Sequence, residues 1–183
     1  MKFLLFCAML ALVAGGCQNT PPTRSSEPTD RKSTPLANAP QLVDPFDQRS
    51  PVPLLPRMAA HQRENMRDHL AAVQEILAAI SAGDFAGVER SAARIGYSEQ
   101  MEQMCSHMGA GAPGFTDMAL NFHRTADTIT AAAKARDTTA TLKALSATVQ
   151  TCVGCHATYR QHIVDEATWK TITGRPAPTP ARH

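Results

Sequence analysis

The chain is poor in aromatic residues: six Phe, two Tyr and one Trp make up only 5% of its 183 residues. A core must therefore be assembled from Ala, Leu, Ile, Val and Met. Charge of one sign is also lacking. Eighteen Lys and Arg are set against sixteen Asp and Glu, for a formal net charge of +2. That balance carries no basic excess of the kind that draws a protein to nucleic acid, so no nucleic-acid partner is expected. The apolar run from Phe3 to Val13 is too short to cross a bilayer as a helix. Glycine and runs of β-branched residues are sparse in the middle of the chain, which suits helices and argues against a sheet.

What is present begins with a leader. Lys2 precedes the apolar run, and the small residues Ala14, Gly15 and Gly16 follow it, so residues 1–16 read as a secretory signal. Cys17 directly after them gives the pattern of a bacterial lipoprotein signal, with Cys17 as the lipid anchor, although Ala14 stands where that signal usually has Leu. A plain cleaved signal is the alternative; both imply export, and the expected location is the periplasm, with tethering to the membrane if Cys17 is lipidated. Residues 17–56 are rich in Pro, Ser and Thr without helical or strand period, and read as an extended linker. A second Pro-rich segment, with Pro176, Pro178 and Pro180, makes residues 170–183 a tail. Residues 57–169 remain, enough for one small domain with a single core.

Helical period runs through that domain. A first helix from about Arg57 to Ala82 sets Met66, Leu70, Val73, Leu77 and Ile80 on one face. Asp84 is placed to cap a second, which carries Phe85, Val88, Ala92 and Ile95, breaks at Gly96, and continues with Tyr97, Met101, Met104 and Met108. The Gly- and Pro-rich stretch 109–114 is a break. A third helix aligns Phe115, Met118, Phe122, Ala126, Ile129 and Ala133. With Asp137 as cap, a fourth aligns Leu142, Leu145, Val149, Cys152, His156, Tyr159 and Ile163. The expectation is an all-α, antiparallel four-helix bundle.

Cys152-Val153-Gly154-Cys155-His156 has the spacing of covalent c-type haem attachment. Two thiols add to the two vinyl groups of the macrocycle, and the adjacent imidazole is then held against the iron. Cys152 and His156, four apart on a helix, share a face, and it is the apolar one. Other readings remain. Structural zinc needs a second pair of ligands at short spacing, and Cys105 and His107 do not form one. A thioredoxin-like site belongs after a strand at a helix start, whereas roughly three turns of helical pattern precede Cys152. A plain disulfide is conceivable in an oxidising compartment. Of the five cysteines, Cys7 leaves with the signal, Cys17 is the candidate anchor, and Cys105 is left over, read as a small buried hydrophobe.

On these residues, together with the following Ala157-Thr158-Tyr159-Arg160, the chain resembles the cytochrome c-prime and cytochrome c-556 family from about Arg57 to Asp165. The resemblance implies one covalent haem c on Cys152, Cys155 and His156. Arg160 would lie near a propionate, or else be an exposed helix-end cation. Within the family the far side of the iron holds either an apolar residue, leaving it five-coordinate, or a methionine from the first helix. Met66 falls at about that position, with Met58, Met108, His61 and His107 as the other candidates. The cluster Met101, Met104, His107 and Met108 has no place in the family pattern. His69 and His123 lie beside their apolar stripes and read as surface or boundary histidines. The implied function is single-electron transfer with periplasmic or membrane redox proteins, not enzymatic catalysis, and a homodimer is a family habit. A five-coordinate haem that binds NO or CO is the alternative. A haem-free interaction or metal-storage module is the third.

Overall fold

The computed structural model describes residues 46–176. The expected signal segment, Cys17, most of the linker and the end of the tail lie outside the described residues.

Helix starts follow the capping residues. α1 (Pro56–Ser81) opens on proline, whose missing N–H would have had no intrahelical partner. Asp84 accepts from the Gly87 N–H at the start of α2 (Phe85–Ala93), and Ser98 accepts from Met101 N–H at the start of α3 (Glu99–Met108). Asp137 does the same for Ala140 at the start of α5 (Thr138–Thr158), and Asp165 for Thr168 in α6 (Glu166–Thr173). α4 (Phe115–Lys134) starts after Gly114, whose φ of +79° is left-handed backbone that glycine adopts without strain. The molecule is mostly helical, with one small two-stranded sheet among the described residues. None of the described helices is long and apolar enough to cross a membrane.

The sheet corrects two expectations. The fourth helix was expected to run on through Tyr159 and Ile163, but α5 stops at Thr158 and Tyr159–Ile163 is a strand, β2. Its parallel partner β1 (Ser50–Leu54) comes from the end of the expected linker, with Ser50 opposite Tyr159 and Leu54 opposite Ile163. Proline did not forbid this strand because Pro51 and Pro53 occupy alternate positions. The Leu54 carbonyl faces β2 and accepts from Val164 N–H at 2.9 Å, so the proline nitrogens face away from the ladder. The tail also begins later than expected, since α6 runs to Thr173 and buries Trp169 completely.

Two apolar clusters make the core. One gathers Val52, Leu54, Met58, Met108, Phe115 and Trp169, joining β1, the start of α1, the end of α3 and α6. The other gathers Ile76, Val88, Ile95, Phe122, Ile129 and Leu145. Helix packing runs in sequence, α1 on α2, α2 on α4 and α4 on α5, but α1 and α5 do not pack along their lengths. This accounts for a further correction. The expected core stripes of α1 and α5 are largely uncovered: Met66, Leu70 and Leu77 are exposed, as are Leu142 and Val149. Leu145 on α5 is buried as expected, beside Thr141 and Thr148, and the buried positions along the middle of α1 are Ala72 and Ile76. The apolar pattern was real, but much of what it faces is a gap.

Candidate functional site

The gap is a cleft of about 1130 Å³. Its walls bring together Cys152, Cys155, His156 and Arg160 from the end of α5 and β2 with Met66, His69, Leu70 and Val73 from α1. α3 adds Met101, Met104, Cys105 and Met108, and α4 adds Phe115, Met118 and Phe122. Such a volume is at or above the ~300–1,000 Å³ usual for small-molecule sites. The pairing of residues 90 positions apart on opposite walls follows from α1 and α5 flanking one opening.

The cysteine pair stands at the seam of the core. Cys155 packs against the cluster around Trp169 and Cys152 against the cluster around Ile76. Both are free thiols, as is Cys105. Burial pushes all three thiols up, Cys105 to about 11, so each is protonated at neutral pH. His156 is exposed on the last turn of α5, and its carbonyl accepts from Arg49 Nη1 at 3.3 Å. Arg49 also binds Asp47 at 2.8 Å, and that hydrogen-bonded guanidinium holds the Asp47 carboxyl down at about 2. Arg160 Nε is buried with no hydrogen-bond partner; the Asp47 carboxylate is 3.8 Å away.

Of the alternative far-side candidates, only Met108 lines the cleft with Met66. Met58 is buried in the Trp169 cluster. His107 packs its ring 5.6 Å from Trp169, and its Nε2 is buried without a partner. His61 is exposed beside Met104 and outside the lining. Cys105 is buried, as expected of a small hydrophobe, but it also lines the cleft.

Sequence reasoning missed four lining residues. His123, expected at the surface or its boundary, is 3% exposed and donates from Nδ1 to the Ile95 carbonyl at 2.9 Å. His69 stacks on Phe122 at 4.7 Å and meets His123 edge-on at 5.5 Å. The available signal was spacing, since His69 follows Met66 by one turn. Asp47 and Arg49 were absorbed into the Pro-rich linker, where composition hid them.

Three features suit a flat, mostly apolar group with acidic substituents. The walls leave apolar side chains open, with Met66 39% and Leu70 69% exposed. Two thiols one helical turn apart border the opening. A buried guanidinium nitrogen lacks a hydrogen-bond partner at its rim. Two of the three other readings of the cysteine pair fit less well. The motif ends a long helix instead of following a strand. No three His, Cys, Asp or Glu side chains converge as a metal site among the described residues. Comparison of the chain with family models, with curated proteins and with solved structures gave no match.

Proposed function

We propose that the chain is an exported haem protein, an antiparallel four-helix bundle of α1, α2 with α3, α4 and α5, that carries single electrons. The observation that carries the reading is the cleft, which gathers a Cys-x-x-Cys-His motif, a methionine on the opposite wall and a buried arginine nitrogen in one apolar opening. Cys152 and Cys155 would hold haem c through thioether bonds, and His156 and Met66 would be the side chains that bind its iron. Arg160 would pair with a propionate, with Asp47 and Arg49 fixing its position.

When bound, the iron supplies a one-electron couple, and a thioether ligand raises its potential. The rest is done by the chain. With the group in place, Phe122, Val73 and Leu70 would surround it with apolar side chains and so disfavour the extra ferric charge. Export and a lipid on Cys17 would hold the carrier near membrane redox partners. A second reading, a five-coordinate haem that binds NO or CO, draws support from Leu70. This apolar residue sits one turn beyond Met66 on the same wall and is more open than it.

The test is the optical spectrum of the matured protein, oxidised, reduced, and reduced under CO. A low-spin spectrum indifferent to CO is expected, with conversion to high spin in Met66→Ala. A wild-type spectrum that is high-spin and shifts with CO would replace the carrier by the gas-binding reading. Protein that matures without covalent haem would sink both.

A further inference from the structure

The chain as a whole is close to neutral, with a formal net charge of +2. The cleft is not. Arg49, Arg63, Arg67 and Arg160 line it, and Asp47 is the one carboxylate among its lining residues. That carboxylate is already engaged by Arg49 at 2.8 Å, and Arg160 reaches it only at 3.8 Å. Three guanidinium groups therefore border one opening without a matching anion, and the haem reading uses one of them, Arg160.

Arg63 is held in place by a chain of bonds from β2. Its Nη1 donates to Gln161 Oε1 at 2.9 Å, and Gln161 Nε2 donates to Gln62 Oε1 at 2.6 Å and to the Ala59 carbonyl at 3.2 Å. Gln161 directly follows Arg160 on β2, so this bond brings Arg63 to the part of the cleft that Arg160 lines. A guanidinium has five N–H donors, and Arg63 uses one. Arg67 stands one turn further along α1 and makes no hydrogen bond or ion pair among the described residues. Glu64 and Asp68 are near it in sequence but do not line the cleft.

Guanidinium forks bind carboxylates through paired, charge-assisted N–H···O bonds. Here the cations come in two sets from different elements, Arg160 on β2 and Arg63 with Arg67 on α1. Beyond them the lining turns apolar at Leu70, Val73 and Phe122. A fatty acid would use the apolar part but has a single carboxylate. A polyphosphate would use the arginines and leave the apolar part bare. A flat apolar body with two acid arms uses both.

We propose that Arg63 and Arg67 hold the second carboxylate of a porphyrin dicarboxylate whose first is held by Arg160, and that this grip selects the diacid without any bond to Cys152 or Cys155. The inference rests on the haem reading and adds to it two residues that neither the motif nor the family resemblance names. The test uses the full-length chain produced without haem-attachment machinery. It is titrated, by absorbance, with iron mesoporphyrin, whose ethyl groups cannot form thioethers, and with the dimethyl ester of the same porphyrin. The diacid should bind roughly tenfold more tightly than the diester, or better, as charge-assisted bonds imply. Arg63→Gln/Arg67→Gln should lose roughly tenfold for the diacid and nothing for the diester. Arg67→Gln, which breaks no bond of the fold, should keep wild-type helicity by circular dichroism and show part of that loss. Arg57→Gln removes the same charge outside the cleft and should change neither affinity. Equal binding of diacid and diester by the wild type would overturn the proposal and leave the haem reading standing, as would an undiminished preference in the double variant. A loss in Arg57→Gln as large as in Arg67→Gln would put the effect down to net charge and overturn it too. Binding of neither porphyrin would overturn the haem reading along with it.

Discussion

His69 is held out of water by the cleft floor, and burial, with a smaller contribution from neighbouring His123, pushes its pKa from 6.5 down to about 4. His123 is shifted the same way, again chiefly by burial, against the opposing pull of its Ile95 hydrogen bond. Both residues are therefore neutral in the fold at pH 7. As pH falls below 6.5 the unfolded chain takes up protons that folded His69 refuses, so stability is complete above about 6.5 and declines until about pH 4. The shift corresponds to roughly 3 kcal/mol for His69 at acid pH. Urea midpoints measured between pH 7.5 and 4 should fall in the wild type and fall distinctly less in His69→Gln. Equal slopes would mean that His69 is not the titrating group. The two histidines also mark a limit of sequence reading. The pattern placed them beside the apolar stripes, but not which neighbour stood over them, and Phe122 stacking is a tertiary fact. Cys152, Cys155 and His156 stand out by spacing and Met66 by the family resemblance, but that all four line one cleft is again a tertiary fact.

At the scale of elements, local chemistry was readable wherever it is local. Asp84, Asp137 and the break at Gly96 were placed from composition, and α2, α3 and α5 start or stop beside them. The end of α5 was not readable. Nothing in the helical period of residues 142–163 warns of a strand, because the partner that makes Tyr159–Ile163 extended lies over a hundred residues earlier, at Ser50–Leu54. Tyr159 adds a tether by donating from its hydroxyl to the Pro113 carbonyl at 2.7 Å. The strand pair therefore clips the end of the expected linker to the motif-bearing helix. Leu54 is fully buried in the Trp169 cluster. Leu54→Ala should lower unfolding free energy by about 2–5 kcal/mol, the range for large-to-alanine changes in cores. Chemical denaturation reads this directly, and a loss under 1 kcal/mol would show β1 to be a passive end. Asp137→Ala, which removes only the α5 cap bond to Ala140 N–H at 2.9 Å, should cost about 1 kcal/mol by the same measurement.

At the scale of the whole molecule, the mostly helical character was legible, but the opening between α1 and α5 was not. Apolar periodicity says that a face is covered, without saying whether protein or another group covers it. On α1 that face leaves Met66 39%, Leu70 69% and Leu77 47% exposed, a row of apolar side chains that a monomer rarely leaves bare without use. Under the proposed function the group held by Cys152 and Cys155 covers Met66 and Leu70. Full burial of a side chain of that size contributes about 1.5–3 kcal/mol, and these two begin partly covered, so roughly 2–3 kcal/mol together is the expected gain. For a domain of this size that is a rise in Tm on the order of 10 °C. Matured wild-type protein should therefore melt well above the Cys152→Ser/Cys155→Ser chain, which lacks both attachment points. The haem-free chain should bind a dye specific for apolar surface, and the loaded one should not. Equal melting temperatures with equal dye binding would mean that the open apolar walls of α1 and α5 are not covered by anything bound at the motif.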